Sequence, residues 1–247
     1  MAARFFAPDA SEVGQIVSLP AFEAEHLTRV LRLGTGALVH LLNGRGLAFE
    51  GIVTHAARGR ADVRIAAPRA AAREWGVRIT LAPALLKGDK MDDVVRDAVM
   101  MGAAAIQPIL ADRSEVSRGA LVRSHRQERW SRIAVSSAKQ CDRALVPDVR
   151  PVITSLELLQ QISDAGERMT GCMFVEPAAG AAAEGLDRRL PHEQAVVLIG
   201  PEGGWSHAEL EAARPWTRHV TLRGPTVRAD AMPLVSMAAL LTAWGEI

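Results

Sequence analysis

The rhythm of apolar and polar positions changes about a third of the way along the chain. Over the first 70 or so residues apolar positions come in short runs. "ALVHLLNGRGLAFEGIVTHAARGRADVRIAA" sets β-type stretches between the turn signals "NGRG" and "ARGR", which predicts hairpins in a small sheet or barrel-like domain. Just before it, "EAEHLTRVLR" spaces Leu27, Val30 and Leu31 along one face of a short helix and leaves Arg29 and Arg32 to point elsewhere. "APRAAAREWG" marks a boundary near residues 67–76, so the expected domains are 1–70 and 76–247.

From residue 77 strand-type runs alternate with helical periods. Strands are expected at "VRITLAPAL", "AIQPILA", "CMFVEP", "AVVLIG" and "HVTL", and helices around 90–101, 123–139, 155–164, 207–213 and 233–244. That alternation predicts an α/β fold with a largely parallel sheet covered on both faces. Such sheets bind ligands beyond the carboxyl ends of their strands.

Two helix starts carry capping signals. "TSLE" puts Thr154 and Glu157 at capping-box spacing. In "WSHAEL", Ser206 caps, Glu209 is its N3 partner and Trp205 staples against Leu210. Ser206 is thereby explained as a cap rather than a nucleophile. The preceding loop, "GPEGG" at 200–204, is then fixed between a buried strand and a firmly started helix. It has neither the Walker pattern nor Gly-x-Gly-x-x-Gly. Its glycines allow close approach of backbone to a ligand, which suits the adenine edge and amino-acid portion of an adenosyl cofactor; a ligand-free strand-to-helix turn is the other reading, and the loop alone leaves both open. "RHVTLRG" exits similarly into "PTVRADAMP", and "FVEPAAG" offers a third loop for the same crevice.

Composition narrows the class. The chain has 247 residues, 49% hydrophobic and 23% charged, an ordinary globular profile. It lacks an 18-residue apolar run and a signal-type N-terminus, so a cytoplasmic protein without membrane partner is expected. Cys141 and Cys172 form no Cys-x-x-Cys pattern, and no metal site is expected. The net charge of +1 conceals an imbalance: between Arg113 and Arg143 eight Lys or Arg stand against three acids. That stripe could face phosphate.

Taken together, "HLTRVLRLGTG", "LLKGDKMDDVVRDAV", "RWSRIAVSSAKQCDRALVP", "LIGPEGGWSHAEL" and "VTLRGPTVRADA" resemble, in order and over nearly the full chain, the motifs of the small-subunit ribosomal RNA (uridine-N3) methyltransferases, a family of knotted α/β methyltransferases. The resemblance implies an N-terminal PUA-like RNA-binding β-barrel and a C-terminal trefoil-knotted domain. It also implies a homodimer that binds S-adenosyl-L-methionine and methylates a uridine of 16S ribosomal RNA, as RNA or as the assembled small subunit. By position, Ile199, Gly200, Pro201, Glu202, Gly203 and Gly204, then Leu222, Arg223, Gly224 and Val227, are its cofactor residues. Arg32, Arg129, Lys139 and Arg143 match its basic motif positions; Arg29, Arg113, Arg126 and Arg132 join them as phosphate candidates from the charge pattern. The match departs from the family at Asp230 and Ala231, where it has Glu and Thr, and at Asp97 and Met100, where it has Lys and Glu.

The chemistry assigns roles within that set. Uridine N3 is a weak acid with a pKa on the order of 9, so methylation needs its proton removed and its anion favoured by a nearby cation. Arg228 is expected in that role, or else as an arginine merely paired to Asp230. Asp230 either orients Arg228 or accepts the proton, and Glu202 either accepts a hydrogen bond from ligand or caps backbone amides. Two other readings stay open: a knotted methyltransferase acting on another base or atom, and an RNA-binding protein whose catalytic site has decayed.

Overall fold

The computed structural model describes residues 2–116, 125–176, 186, 194–222 and 224–247. Arg223, the part of the expected third loop beyond Glu176, and Arg118 and Arg123 of the basic stripe lie outside the described residues. The chain divides into two compact units, 1–74 with 135–146, and 75–134 with 147–247.

The smaller unit contains β1 (Ala3–Phe6), β2 (Ile16–Ser18), α1 (Ala21–Glu25), β3 (Leu38–Leu42), β4 (Ala48–Ala57) and β5 (Arg60–Arg69). Its sheet runs β1-β3-β4-β5-β2, with β3, β4 and β5 joined as antiparallel neighbours. Gly59 closes the two-residue β4–β5 turn at φ +78°, a conformation glycine adopts without a Cβ penalty. Phe5, Leu27, Leu41, Val63 and Ile65 fill the core.

Helix α1 passes directly into a π turn, His26–Val30, closed by Leu31 N–H donating to the His26 carbonyl. The wider turn shifts the helical phase, and here the expected apolar face fails. Leu27 is buried, but Val30 and Leu31 are 68% and 39% exposed. Arg32 follows in the left-handed region at φ 54°.

Residues 135–146 belong with the smaller unit because their charges are satisfied there. Asp142 pairs with Arg4 and Arg69, Lys139 Nζ reaches the fully buried Glu23 at 2.7 Å, and Arg143 forks onto Glu74. Although partial burial pushes the Asp142 carboxyl up, the Arg69 hydrogen bond and the Arg69 and Arg4 charges outweigh it and hold it below the usual range.

The larger unit contains β6 (Arg78–Pro83), α2 (Lys90–Met100), β7 (Ala105–Ile106), β8 (Ile109–Leu110), α3 (Arg126–Gln140, its last turns lying in the smaller unit), β9 (Asp148–Val149), β10 (Ile153–Thr154), α4 (Ser155–Ala165), β11 (Met169–Phe174), β12 (Gln194–Ile199), α5 (His207–Ala213), β13 (Thr217–Val220) and α6 (Met232–Ala243). Six strands pair in parallel in the order β13-β11-β12-β6-β7-β9. The unbroken apolar run of β12 reads as it does because Ala195–Ile199 is buried between two neighbours. "AIQPILA" is two strands rather than one, since Pro108 offers no N–H to a ladder; β8 pairs instead with β10. Both capping boxes form, at Thr154 and at Ser206. Each contributes about 1 kcal/mol.

Candidate active site

Strands β11, β12 and β13 run side by side with β11 in the middle, so the loops leaving their carboxyl ends converge. A cavity of about 310 Å³ opens there. Its walls come from Phe174–Glu176, from Ile199–Glu202 with Gly204 and Trp205, and from Leu222 with Pro225–Asp230. Lys90 at the start of α2 and Met232 complete it.

The loop after β12 is held from three sides. Gly204 N–H donates to the Pro201 carbonyl at 2.9 Å, closing the turn with Gly204 at φ +67°. A Cβ there would sit 3.3 Å from the Glu176 carboxylate. Trp205 Nε1 donates to the Phe174 carbonyl at 2.9 Å, and Trp205 shares a buried cluster with Leu210, as the staple requires. Buried Glu209 accepts from Ser206 N–H, from Asp112 N–H and from Ser155 Oγ, at 3.0, 3.1 and 2.8 Å. The N3 residue of a capping box thus also ties α5 to the segment after β8 and to α4. Its role as cap was legible in sequence; its distant partners were not.

The charges in the cavity are paired. Lys90 Nζ lies 2.9 Å from Glu202, and Arg228 reaches Asp230 through Nε at 3.0 Å and Nη2 at 2.7 Å. The hydrogen bond from Arg228 holds the Asp230 carboxyl below its usual range, with the charges of Arg228 and Lys90 acting in the same direction. A carboxylate so stabilised is a poorer proton acceptor, which favours Asp230 as the group that orients Arg228. Lys90 was quoted in sequence within "LLKGDKMDD" but not singled out, because its partner Glu202 lies 112 residues away. Glu176 is an exposed carboxylate on the same wall. Two cations therefore face three carboxylates.

Not every expected residue reaches this cavity. Gly203 and Gly224 lie outside its lining. Arg113, expected at phosphate, donates through Nη1 to the Gly203 carbonyl at 3.0 Å and so braces the loop from behind.

The basic residues of the stripe differ in their partners. Lys139 and Arg143 are drawn into buried ion pairs with Glu23 and Glu74, where their side chains are 13% and 5% exposed; they are anchors of the smaller unit rather than phosphate contacts. Arg129 pairs with Asp92, and Arg132 lies 3.8 Å from Glu128. Arg126 is half-buried, with Nη1 enclosed. Trp130 and Ala134, one helical turn apart on α3, are both buried in the core. Among the described residues no group of three or more His, Cys, Asp or Glu could hold a metal ion, and no helix is long and apolar enough to cross a membrane.

Comparison with known proteins places the architecture. A family model described as the RNA methyltransferase domain matches residues 73–241, and one described as the RNA methyltransferase PUA domain matches 21–66. A crystal structure of a ribosomal RNA small subunit methyltransferase E from Neisseria gonorrhoeae, bound to S-adenosyl methionine, is 30% identical with a TM-score of 0.85, covering 99% of this chain and 98% of that one. The chain belongs to the ribosomal RNA small subunit methyltransferase E family. A member of that family from Synechocystis is 29% identical over 91% of this chain and 72% of its own length. A putative methyltransferase from Legionella pneumophila, 23% identical with a TM-score of 0.86, shares the fold over 98% of both chains. A PUA-like N-terminal domain precedes a knotted α/β methyltransferase domain. The knot could not have been reached from strand rules, under which chains do not thread loops.

Proposed function

We propose that the protein transfers a methyl group from S-adenosylmethionine to N3 of a uridine in small-subunit ribosomal RNA. The observation that carries this is the cavity at the strand ends of a family methyltransferase domain, with Arg228 oriented by Asp230 on its wall.

The cofactor fits the residues present. Its sulfonium and ammonium outweigh its single carboxylate, and the cavity's three carboxylates outweigh its two cations. The volume of about 310 Å³ lies at the lower end of the range of about 300–1,000 Å³ for small-molecule sites. Ile199–Glu202, Leu222 and Val227 would hold it. When bound, S-adenosylmethionine supplies an electrophilic methyl group on sulfur.

The chain's own residues then favour the acceptor. The Arg228 guanidinium, aimed by Asp230, faces the uracil carbonyls and lowers the pKa of N3–H, so the proton leaves to solvent and the N3 lone pair is available for the methyl carbon. The narrow cavity aligns the two reacting atoms. The uridine must leave its local stack to enter. A homodimer in the cytoplasm completes the reading; helix α6, apolar all round with Leu234 exposed, supports an apolar contact with a second copy.

The test is transfer from labelled S-adenosylmethionine to undermethylated small subunits, and to their naked RNA, followed by digestion and mass spectrometry. Label on uridine N3 is expected. Label on another base or atom, or none on either substrate beside an active control enzyme, would overturn the reading.

A further inference from the structure

Among the described residues two cations line the strand-end cavity, Arg228 and Lys90. Lys90 stands where its own helix does not favour it. It is the first residue of α2, at the end whose partial positive charge suits the acids Asp92 and Asp93 that follow in the same turn. The helix therefore gives no reason for a lysine there, and the cavity does. The side chain reaches its wall, where Nζ lies 2.9 Å from Glu202 Oε1. Glu202 is its only side-chain hydrogen-bond or ion-pair partner among the described residues. An ammonium carries three protons, which leaves two for a ligand.

Two ion pairs of the same build thus stand in one cavity, Asp230 aiming Arg228 and Glu202 aiming Lys90. They are near neighbours, since the Lys90 charge adds to that of Arg228 in lowering the Asp230 carboxyl. Their cations come from different elements: Arg228 follows β13, whereas Lys90 follows β6, the strand beside β12. One ligand can therefore be met by two donors that do not share a loop. Uracil suits such a pair. Its N3 lies between two carbonyls, and loss of the N3 proton spreads negative charge over both oxygens. A cation at each favours the anion more than Arg228 alone, because every nearby positive charge lowers the pKa. Cytosine carries an amino group in place of one carbonyl, so one donor would face another donor.

We propose that Lys90 is a second catalytic cation, its ammonium on one uracil carbonyl and the Arg228 guanidinium on the other, and that the two together select uracil over cytosine. The proposal rests on the reading that the acceptor is N3 of a uridine, and it deepens that reading. The N3 proton leaves to water, the N3 lone pair forms the bond to the methyl carbon, and the electron pair of the broken carbon–sulfur bond stays on sulfur. Glu202 is a positioning residue in this arrangement, as Asp230 is for Arg228.

The test is single-turnover methyl transfer by the full-length protein to undermethylated small-subunit ribosomal RNA, at saturating S-adenosylmethionine and from about pH 6 to about pH 9.5. Lys90→Met keeps the length of the side chain and removes its charge. It should transfer about 10–100-fold more slowly at neutral pH, and the pH at which the rate levels off should rise by about one to two units. Lys90→Arg keeps the charge and should level off near the wild-type pH. On an RNA with cytidine in place of the methylated uridine, Lys90→Met should narrow the wild-type preference for uridine by about tenfold or more. Melting temperature should stay at the wild-type value, and S-adenosylmethionine affinity by calorimetry within about threefold of it. Lys87→Met removes the same charge from an exposed lysine paired to Glu115 and should behave as wild type throughout. An unshifted pH profile in Lys90→Met overturns the proposal, as does a loss confined to cofactor affinity, which would assign Lys90 to the cofactor's carboxylate. An equal shift in Lys87→Met overturns it too, by making total charge the cause. A wild type that leaves uridine N3 unmethylated defeats the methyl-transfer reading and the proposal with it. A wild type that methylates N3 while Lys90→Met keeps its pH profile defeats the proposal alone.

Discussion

The strand-end cavity of the larger unit and a second one, about 410 Å³ between the π turn and the β4–β5 turn of the smaller unit, differ in what their cations are doing. In the larger unit Lys90 and Arg228 each hold a carboxylate at hydrogen-bond distance, whereas in the smaller unit Arg29 is paired to Glu25 but Arg32 and Arg58 hold none among the described residues. Paired charges are oriented and, with Glu176, leave the cavity slightly negative, which suits a small ligand of net positive charge and a reaction that needs one group correctly aimed. Unpaired guanidiniums offer a long-range field, which suits a polyanion. Composition could not separate these cases, because an arginine reads alike whether or not it has a partner.

The comparison breaks most visibly where a cation was expected at RNA and is structural instead. Lys139→Ala leaves Glu23 fully buried with, among the described residues, only Phe6 N–H donating to its carboxylate at 3.2 Å, so a loss of about 3–5 kcal/mol is expected in chemical denaturation, well beyond any change in RNA affinity per unit of folded protein. A near-neutral stability with weakened RNA binding would return Lys139 to the phosphate set. Next, Arg228→Ala should lower the rate of methyl transfer about 10²–10³-fold, the loss typical of a removed charge-stabilising donor, with a far smaller change in cofactor affinity by calorimetry. An unchanged rate would reduce Arg228 to a partner of Asp230.

A third change tests the loop. Gly204→Val places a branched Cβ at a left-handed position and against Glu176, so S-adenosylmethionine should bind at least about tenfold more weakly, about 1.4 kcal/mol, while RNA binding is unchanged. Tight cofactor binding by this variant would mean that the loop is only a turn.

The smallest effect on stability concerns pH. With the Asp230 carboxyl depressed by Arg228, its contribution to stability is fully present above the ordinary carboxylate range and is lost only as pH falls through the lowered folded value. Asp230 therefore does not titrate near neutrality. The transfer rate should rise about tenfold per pH unit until N3 itself ionises, below its free-solution pKa on the order of 9 because Arg228 lowers it, and a rate already flat above about pH 5 would instead indicate a carboxylate base.

Much of the fold was legible because it is local. The capping boxes at Thr154 and Ser206, the buried run of β12 and the alternation of strand and helix all depend on neighbours within a few residues. The tight strand-to-helix turn at 200–204 was legible for the same reason. What sequence reasoning missed depends on distance along the chain: Lys90 meets Glu202 across 112 residues and Lys139 meets Glu23 across 116. The π turn was missed for a different cause. The spacing of Leu27, Val30 and Leu31 fits an ordinary helix, and nothing in it marks the π turn that leaves Val30 and Leu31 exposed. The match of "GPEGG" and "PTVRAD" to a family site carried the cofactor reading further than spacing could.

The division of labour can be tested in one steady-state experiment, methyl transfer to small-subunit ribosomal RNA at saturating S-adenosylmethionine, with RNA varied, for the wild type, Arg228→Ala and Arg32→Gln/Arg58→Gln. The account expects Arg228→Ala to lower kcat with little change in KM for RNA, and the double variant to raise KM about tenfold or more with kcat preserved. If both variants moved the same parameter, oriented and unpaired arginines would not be performing separate tasks, and the central claim would fail.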